Sequence, residues 1–285
     1  MQRETMSNRT FGHLWENGVG CPIGTVPILR VTKNDLLRLK SFGGNNYNPR
    51  GSWNNTYQAM SSGDGHHFAV TRTKGKAKSY NGASMNVGIK FPQVEPNQYS
   101  AARLCIKFGN ELIQAGWTAR GNACYNSACS AGIINVRHDI PVGMPLDQER
   151  KKRVDIDIAV IKDRANGAWW LLFNTTCCTR EEIGFWPAKR FKESFGTFVE
   201  WGGEVFSISP PSPPMGNGKF PSGDPHVDAY IRRLSIVDGN YKMDDVVENT
   251  ENYSDNTRGY KVRDATETWW TETGHLVIYG GPGKI

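Results

Sequence analysis

The sequence lacks any long hydrophobic run. None of its apolar stretches approaches the roughly 20 residues a membrane helix needs, so no helical membrane span and no membrane partner is expected. It also lacks a CxxC pair, an HExxH motif and a phosphate-cradling glycine loop, so neither a metal nor another cofactor is expected. Zinc-finger spacing and RNA-binding aromatic motifs are missing too, which argues against a nucleic-acid partner. No Ser, Cys or Thr stands in a nucleophile-elbow context, and the six histidines are scattered, to be read as surface or internally satisfied groups. The opening "MQRETMSNRTFG" is polar and has no apolar h-region, so no signal peptide is expected within these residues. That leaves a cytosolic protein, or one whose true N-terminus lies upstream.

What the sequence has in quantity is glycine (31 residues) and aromatic side chains (11%), with few helical patterns. At 285 residues it can bury a sizeable core. Together these favour an all-β protein with many turns. The net charge of +6 hints weakly at an acidic partner. The densest basic run, Glu149–Arg153, sits between a loop and a strand pattern and reads as a solvated loop. The cysteines Cys124 and Cys129 could close a small disulfide loop or remain two reduced thiols. Adjacent Cys177 and Cys178 read as free or separately paired, because a vicinal bridge is strained. Glycosylation sequons occur at Asn8, Asn54, Asn174 and Asn252, each weak alone but, with the cysteines, leaning towards the secretory route.

Three stretches organise the chain. Residues 1–44 include a short amphipathic helix pattern with Thr32 as N-cap and Leu36, Leu37 and Leu39 on one side. Residues 45–65 are rich in Gly, Asn and Ser and read as an exposed linker suited to a proteolytic cut. From His66 to the end, ten strand patterns alternate with turn signals, among them "HHFAVTRT", "QYSAARLCIKFG", "ELIQAGWTA" and "TFVEWGGEVFSI". "WPAKRFKESF" is the one later helix candidate. The expected fold is an antiparallel β-sandwich of two packed sheets.

The chemistry candidates lie in "TFVEWGGEVF". On a strand, Phe198, Glu200, Gly202, Glu204 and Phe206 share one face, and Val199, Trp201, Gly203 and Val205 the other. The second face is apolar and belongs in the core. The first is either the wet side of an antiparallel sheet or a site. Four residues of strand span about 13 Å, so Glu200 and Glu204 cannot share a proton and any partner must come from another strand. Glycine between them would let another backbone, such as a bound peptide, come close. Gln114, in "IQAGW", could donate to an oxyanion but cannot be a base; on pattern alone it is also an ordinary surface glutamine.

Taken together, "LWENGVGCPIGTVPILRVTKNDLLR", "FAVTRT", "QAGW", "CYNSAC", "GAWWLLF", "FVEWGGEVF", "MGNGKFP" and "YGGPG" resemble, in order, the plant neprosin family, over nearly the whole chain from Leu14. The resemblance implies a secreted or vacuolar precursor whose own N-terminal segment inhibits a two-sheet β-sandwich. It implies a glutamic peptidase cleaving proline-containing peptides or proteins after proline, favoured by acid. The family's catalytic pair is two glutamates, one in "EAGW" and one on the "EWGGEV" strand. Here the first becomes Gln114 and the second Glu200 or Glu204, with Glu200 the first choice. Three departures stand out. Gln114 replaces a glutamate. Only Thr118–Ala123 separate Trp117 from Cys124, where the family has a longer segment. "ENYSDN" stands where a cysteine motif is common. These read as an incomplete gene model or a decayed paralogue. The alternative function is a catalytically inactive secreted β-sandwich that binds peptides or cell-wall polymers.

Overall fold

Strand-length runs of β-branched and aromatic residues, broken by Gly, Pro and Asn turns, leave the chain little choice but to pair strands. The computed structural model describes residues 65–74, 79–109, 111–119, 133–137, 142–143, 155–174, 180–266 and 273–285. In them fourteen strands form: β1 (His66–Thr73), β2 (Tyr80–Gly88), β3 (Gln98–Phe108), β4 (Glu111–Ala119), β5 (Ile134–Asn135), β6 (Asp155–Lys162), β7 (Trp169–Asn174), β8 (Arg180–Trp186), β9 (Phe198–Ser207), β10 (Ala229–Asp238), β11 (Met243–Asp244), β12 (Thr250–Ser254), β13 (Lys261–Asp264) and β14 (Leu276–Gly280). They make two antiparallel sheets. One runs β12-β1-β9-β3-β4; the other runs β13-β14-β10-β2-β6-β7-β8-β5, with β11 beside β10.

The core lies between the sheets. Val199, Trp201 and Val205 of β9 and Leu104 and Ile106 of β3 meet Met85, Val87, Ile158, Val160, Leu171 and Ile231 from the larger sheet, all buried. The Trp201 indole donates across this layer to the Ser84 carbonyl at 3.0 Å, so its one polar atom is satisfied. Gly203 is a close-approach position: a Cβ there would come within 2.4 Å of Met215 Sδ and 2.6 Å of Tyr279 Cδ2. Gly202 has a φ of 151°, a left-handed-side value that favours glycine, and the backbone of Ala69 and Val70 on β1 fills the space beside it. The backbone that approaches Gly202 is thus the protein's own, while Gly203 is approached by side chains.

Several expectations need correcting. The helix at 186–195 does not form: Ala188–Arg190 make one 3-10 turn, and Phe191 leaves it in extended conformation. Phe191 then stacks on Phe108 at 4.6 Å and is buried, and tertiary packing overrides the local helical pattern. Of the strand pattern over 130–140, the described residues 133–137 contain the two-residue β5. Conversely β8, β12 and β13 form from sequences too polar to mark as strands, because each completes a ladder beside an apolar strand. The amphipathic pattern at 32–39, the linker, Asn54, Cys124, Cys129, Cys177 and Cys178 lie outside the described residues. Of the other sequon positions, Asn174 ends β7 and Asn252 is exposed on β12. Cys105 is a free, buried thiol, pushed up to about 12 by burial, which outweighs the pull of Arg103.

Candidate active site

The site grows from the register of three strands. β9 lies between β1 and β3, pairing Glu200 with Arg72 and Cys105, Gly202 with Val70 and Arg103, and Glu204 with Phe68 and Ala101. Residues opposite one another in antiparallel strands share a face. Arg103 therefore stands opposite Gly202, midway between the two glutamates, where no side chain on β9 competes for room.

Its guanidinium forks across both. Arg103 Nη2 donates to Glu200 Oε1 at 2.6 Å, and Nε lies 2.5 Å from Glu204 Oε2. Arg103 is only 4% exposed, Glu200 1% and Glu204 0%. The wet-face reading of this strand is therefore wrong: the carboxylates are interior groups, and buried charges need such partners. Phe68 of β1 lies 5.2 Å from the guanidinium, ring centroid to Cζ, adding a cation–π contact.

Glu204 collects further contacts from three strands. The Gln114 amide of β4 donates from Nε2 to Oε2 at 3.2 Å. The Tyr99 hydroxyl of β3 donates to Oε1 at 2.6 Å, and His66 Nδ1 of β1 lies 3.1 Å from the same oxygen. Each carboxylate oxygen thus meets two partners. Burial alone would raise this carboxyl, but the Arg103 charge, then His66 and Tyr99, outweigh it and hold Glu204 at about 2. Glu200 is different. Its Oε1 accepts a hydrogen bond from Arg103, and its Oε2 accepts none from the described residues.

The structure thus brings Gln114 to Glu204, while Glu200 meets Arg103. Sequence reasoning missed Arg103, Tyr99 and His66. The signal for Arg103 was present: alternation along β3 puts Tyr99, Ala101, Arg103 and Cys105 on one face, and an arginine mid-strand among apolar residues requires a buried counter-ion. Nothing local marks Tyr99 or His66, because their contact with Glu204 spans 105 and 138 residues of chain. Among the described residues no group of His, Cys, Asp or Glu could hold a metal ion.

Fold and cluster together define a class: an antiparallel β-sandwich carrying a buried carboxylate–amide site on one sheet. More narrowly, the chain belongs to the Neprosin family, whose model matches residues 93–282. The model for the Neprosin activation peptide matches residues 1–72. Family membership supports a peptidase with an N-terminal propeptide. No curated protein matches the chain. Among solved structures, a similar one is the crystal structure of Scytalido-glutamic peptidase with a peptide-based transition-state analogue. It aligns over 76% of this chain and 97% of that chain, at 8% identity and a TM-score of 0.38.

Proposed function

We propose that the protein is a glutamic peptidase acting in acid, in which Glu204 is the general base and Gln114 the oxyanion donor. The observation that carries this reading is the hydrogen bond from Gln114 Nε2 to Glu204 Oε2 at 3.2 Å, which puts a base and an amide donor at one point. It favours Glu204 over Glu200 as the working carboxylate. Glu204 takes a proton from water, and the water oxygen bonds to the scissile carbonyl carbon. The Gln114 amide donates to the resulting oxyanion. Glu204 then returns its proton to the leaving nitrogen as the C–N bond breaks. A base held at about 2 stays ionised in the acid range where such an enzyme works.

Cleavage after proline and a secretory or vacuolar destination rest on the family resemblance, and glycosylation at exposed sequons such as Asn252 rests on the sequence pattern. The test is incubation of the protein, freed of its N-terminal segment, with a proline-containing peptide at about pH 3 to 5, with products read by mass spectrometry. Cleavage after proline, lost in Glu204→Gln and reduced about 10²- to 10³-fold in kcat by Gln114→Ala, is expected. An intact wild-type fold with no cleavage overturns the reading. One observation favours the alternative, a binding sandwich without turnover: both oxygens of Glu204 already hold two partners, so water must displace one of them. Peptide binding without hydrolysis would identify that case.

A further inference from the structure

Arg103 has no place in the proton-transfer steps above, yet it is the best-buried cation of the site and touches both carboxylates. Its fork is asymmetric in consequence. Glu204 also meets Gln114, Tyr99 and His66, whereas Glu200 meets Arg103 and keeps one buried oxygen without a hydrogen bond from the described residues. A carboxylate that, among the described residues, accepts its hydrogen bond from a guanidinium is placed to hold that guanidinium. A carboxylate with an amide, a phenol and an imidazole around it is placed to do chemistry.

We propose that Arg103 is the positioning residue of this site: its guanidinium holds Glu204 against Gln114 as an anion and so sets the lowest pH at which the site works, with Glu200 as its counter-ion. This rests on the reading of Glu204 as the base. Arginine suits the task because it stays charged at any working pH and presents a planar fork that can serve two carboxylates at once. A lysine offers one point charge and cannot span both.

The groups that face Glu204 limit the alternatives. From β3 come Tyr99, Arg103, Cys105 and Lys107; from β9, Glu200; from β1, His66 and, beside Glu200, Arg72; from β4, the uncharged Gln114. Arg72 is drawn to Glu251 of β12 at 2.7 Å. Lys107 lies over the Phe198 ring at 4.9 Å. Among the described residues, the ionisable donors within hydrogen-bonding reach of Glu204 are therefore Arg103, His66 and Tyr99. Tyr99 is uncharged in acid and His66 is the most accessible of the set, its side chain 14% exposed. Arg103 is the one permanent cation.

Formal charge dictates the variants. Glu200, Glu204 and Arg103 sum to one negative charge. Arg103→Gln alone leaves two, buried and facing each other, and such a chain is expected to fold poorly. Arg103→Gln combined with Glu200→Gln restores one and keeps the neutral shape, so it is the informative variant. Two readouts apply to it: the Glu204 carboxyl resonance followed by 13C NMR against pH in the whole protein, and the acid limb of kcat/KM.

In the wild type both are expected to titrate near pH 2. In the double variant both are expected to move upward, because burial is then opposed by His66 and Tyr99 without the guanidinium. Arg103→Lys is expected between the two. Glu200→Gln alone keeps the Arg103–Glu204 pair, and its Glu204 midpoint is expected to stay low. The proposal is overturned if the folded double variant, or Arg103→Lys where the double variant does not fold, leaves the Glu204 midpoint unchanged. It is overturned equally if His66→Gln moves that midpoint more than the loss of Arg103 does, or if Glu200→Gln abolishes turnover while the Glu204 midpoint stays put. A wild type that cleaves nothing overturns the peptidase reading alone, since the NMR titration still decides what Arg103 does.

Discussion

At the scale of single residues, the chain puts two carboxylates and one guanidinium into a sheet interior. Breaking a buried ion pair by removing one partner costs about 3–5 kcal/mol, because the remaining charge is left uncompensated. Glu204 ties that energetics to pH. Its folded value, about 2, lies below the 4.5 of an unperturbed glutamate. A depressed carboxyl stabilises the fold above the unfolded-state value, and that stabilisation is lost as pH falls through the folded one. The window therefore runs from about 4.5 down to about 2, and the contribution above it is on the order of 3 kcal/mol. Urea unfolding of wild type at several pH values within this window is expected to show the loss, and Glu204→Gln is expected to show a flatter pH dependence. At this scale the sequence was half legible. Alternation put Glu200 and Glu204 on one face and demanded partners from other strands. Which of the two meets Gln114 depends on register across β4, β3 and β9, and no local pattern encodes that.

At the scale of elements, β9 does two jobs because its residues alternate. One face supplies the carboxylates, the other the central core residues Val199, Trp201 and Val205. Trp201→Ala is expected to cost about 3–5 kcal/mol, the range for emptying a large buried aromatic position. Gly203→Ala is expected to cost about 1–3 kcal/mol, since the new methyl would overlap Met215 and Tyr279. Thermal unfolding of both variants checks the order. The strands read correctly from sequence were those with strong apolar content; β12 and β13 escaped because their exposed charged and polar residues suit edge positions that only their neighbours define. The helix expected at 186–195 failed for the same kind of reason, since Phe191 gains more from Phe108 than from a helical turn.

At the scale of the molecule, β1 joins the two family matches. The activation-peptide match ends at residue 72, yet β1 spans His66–Thr73 and is an interior strand, hydrogen-bonded to β9 on one side and β12 on the other. It also brings His66 to Glu204 and Phe68 to Arg103. A cut that leaves this sheet whole falls before Gly65. A chain beginning at residue 65 is expected to fold cooperatively and one beginning at 74 is not, with circular dichroism melting as the measure. The sequence by itself determined the class of fold, since glycine, aromatic and β-branched content with period-two alternation can satisfy the backbone and bury the apolar faces only as packed antiparallel sheets. It also determined which strand bears the carboxylates. The tertiary structure alone decided what those carboxylates are. Whether a glutamate on a sheet face is wet or buried, paired to an arginine or set against an amide, depends on strand order and register, and these are fixed by contacts between residues far apart in the chain.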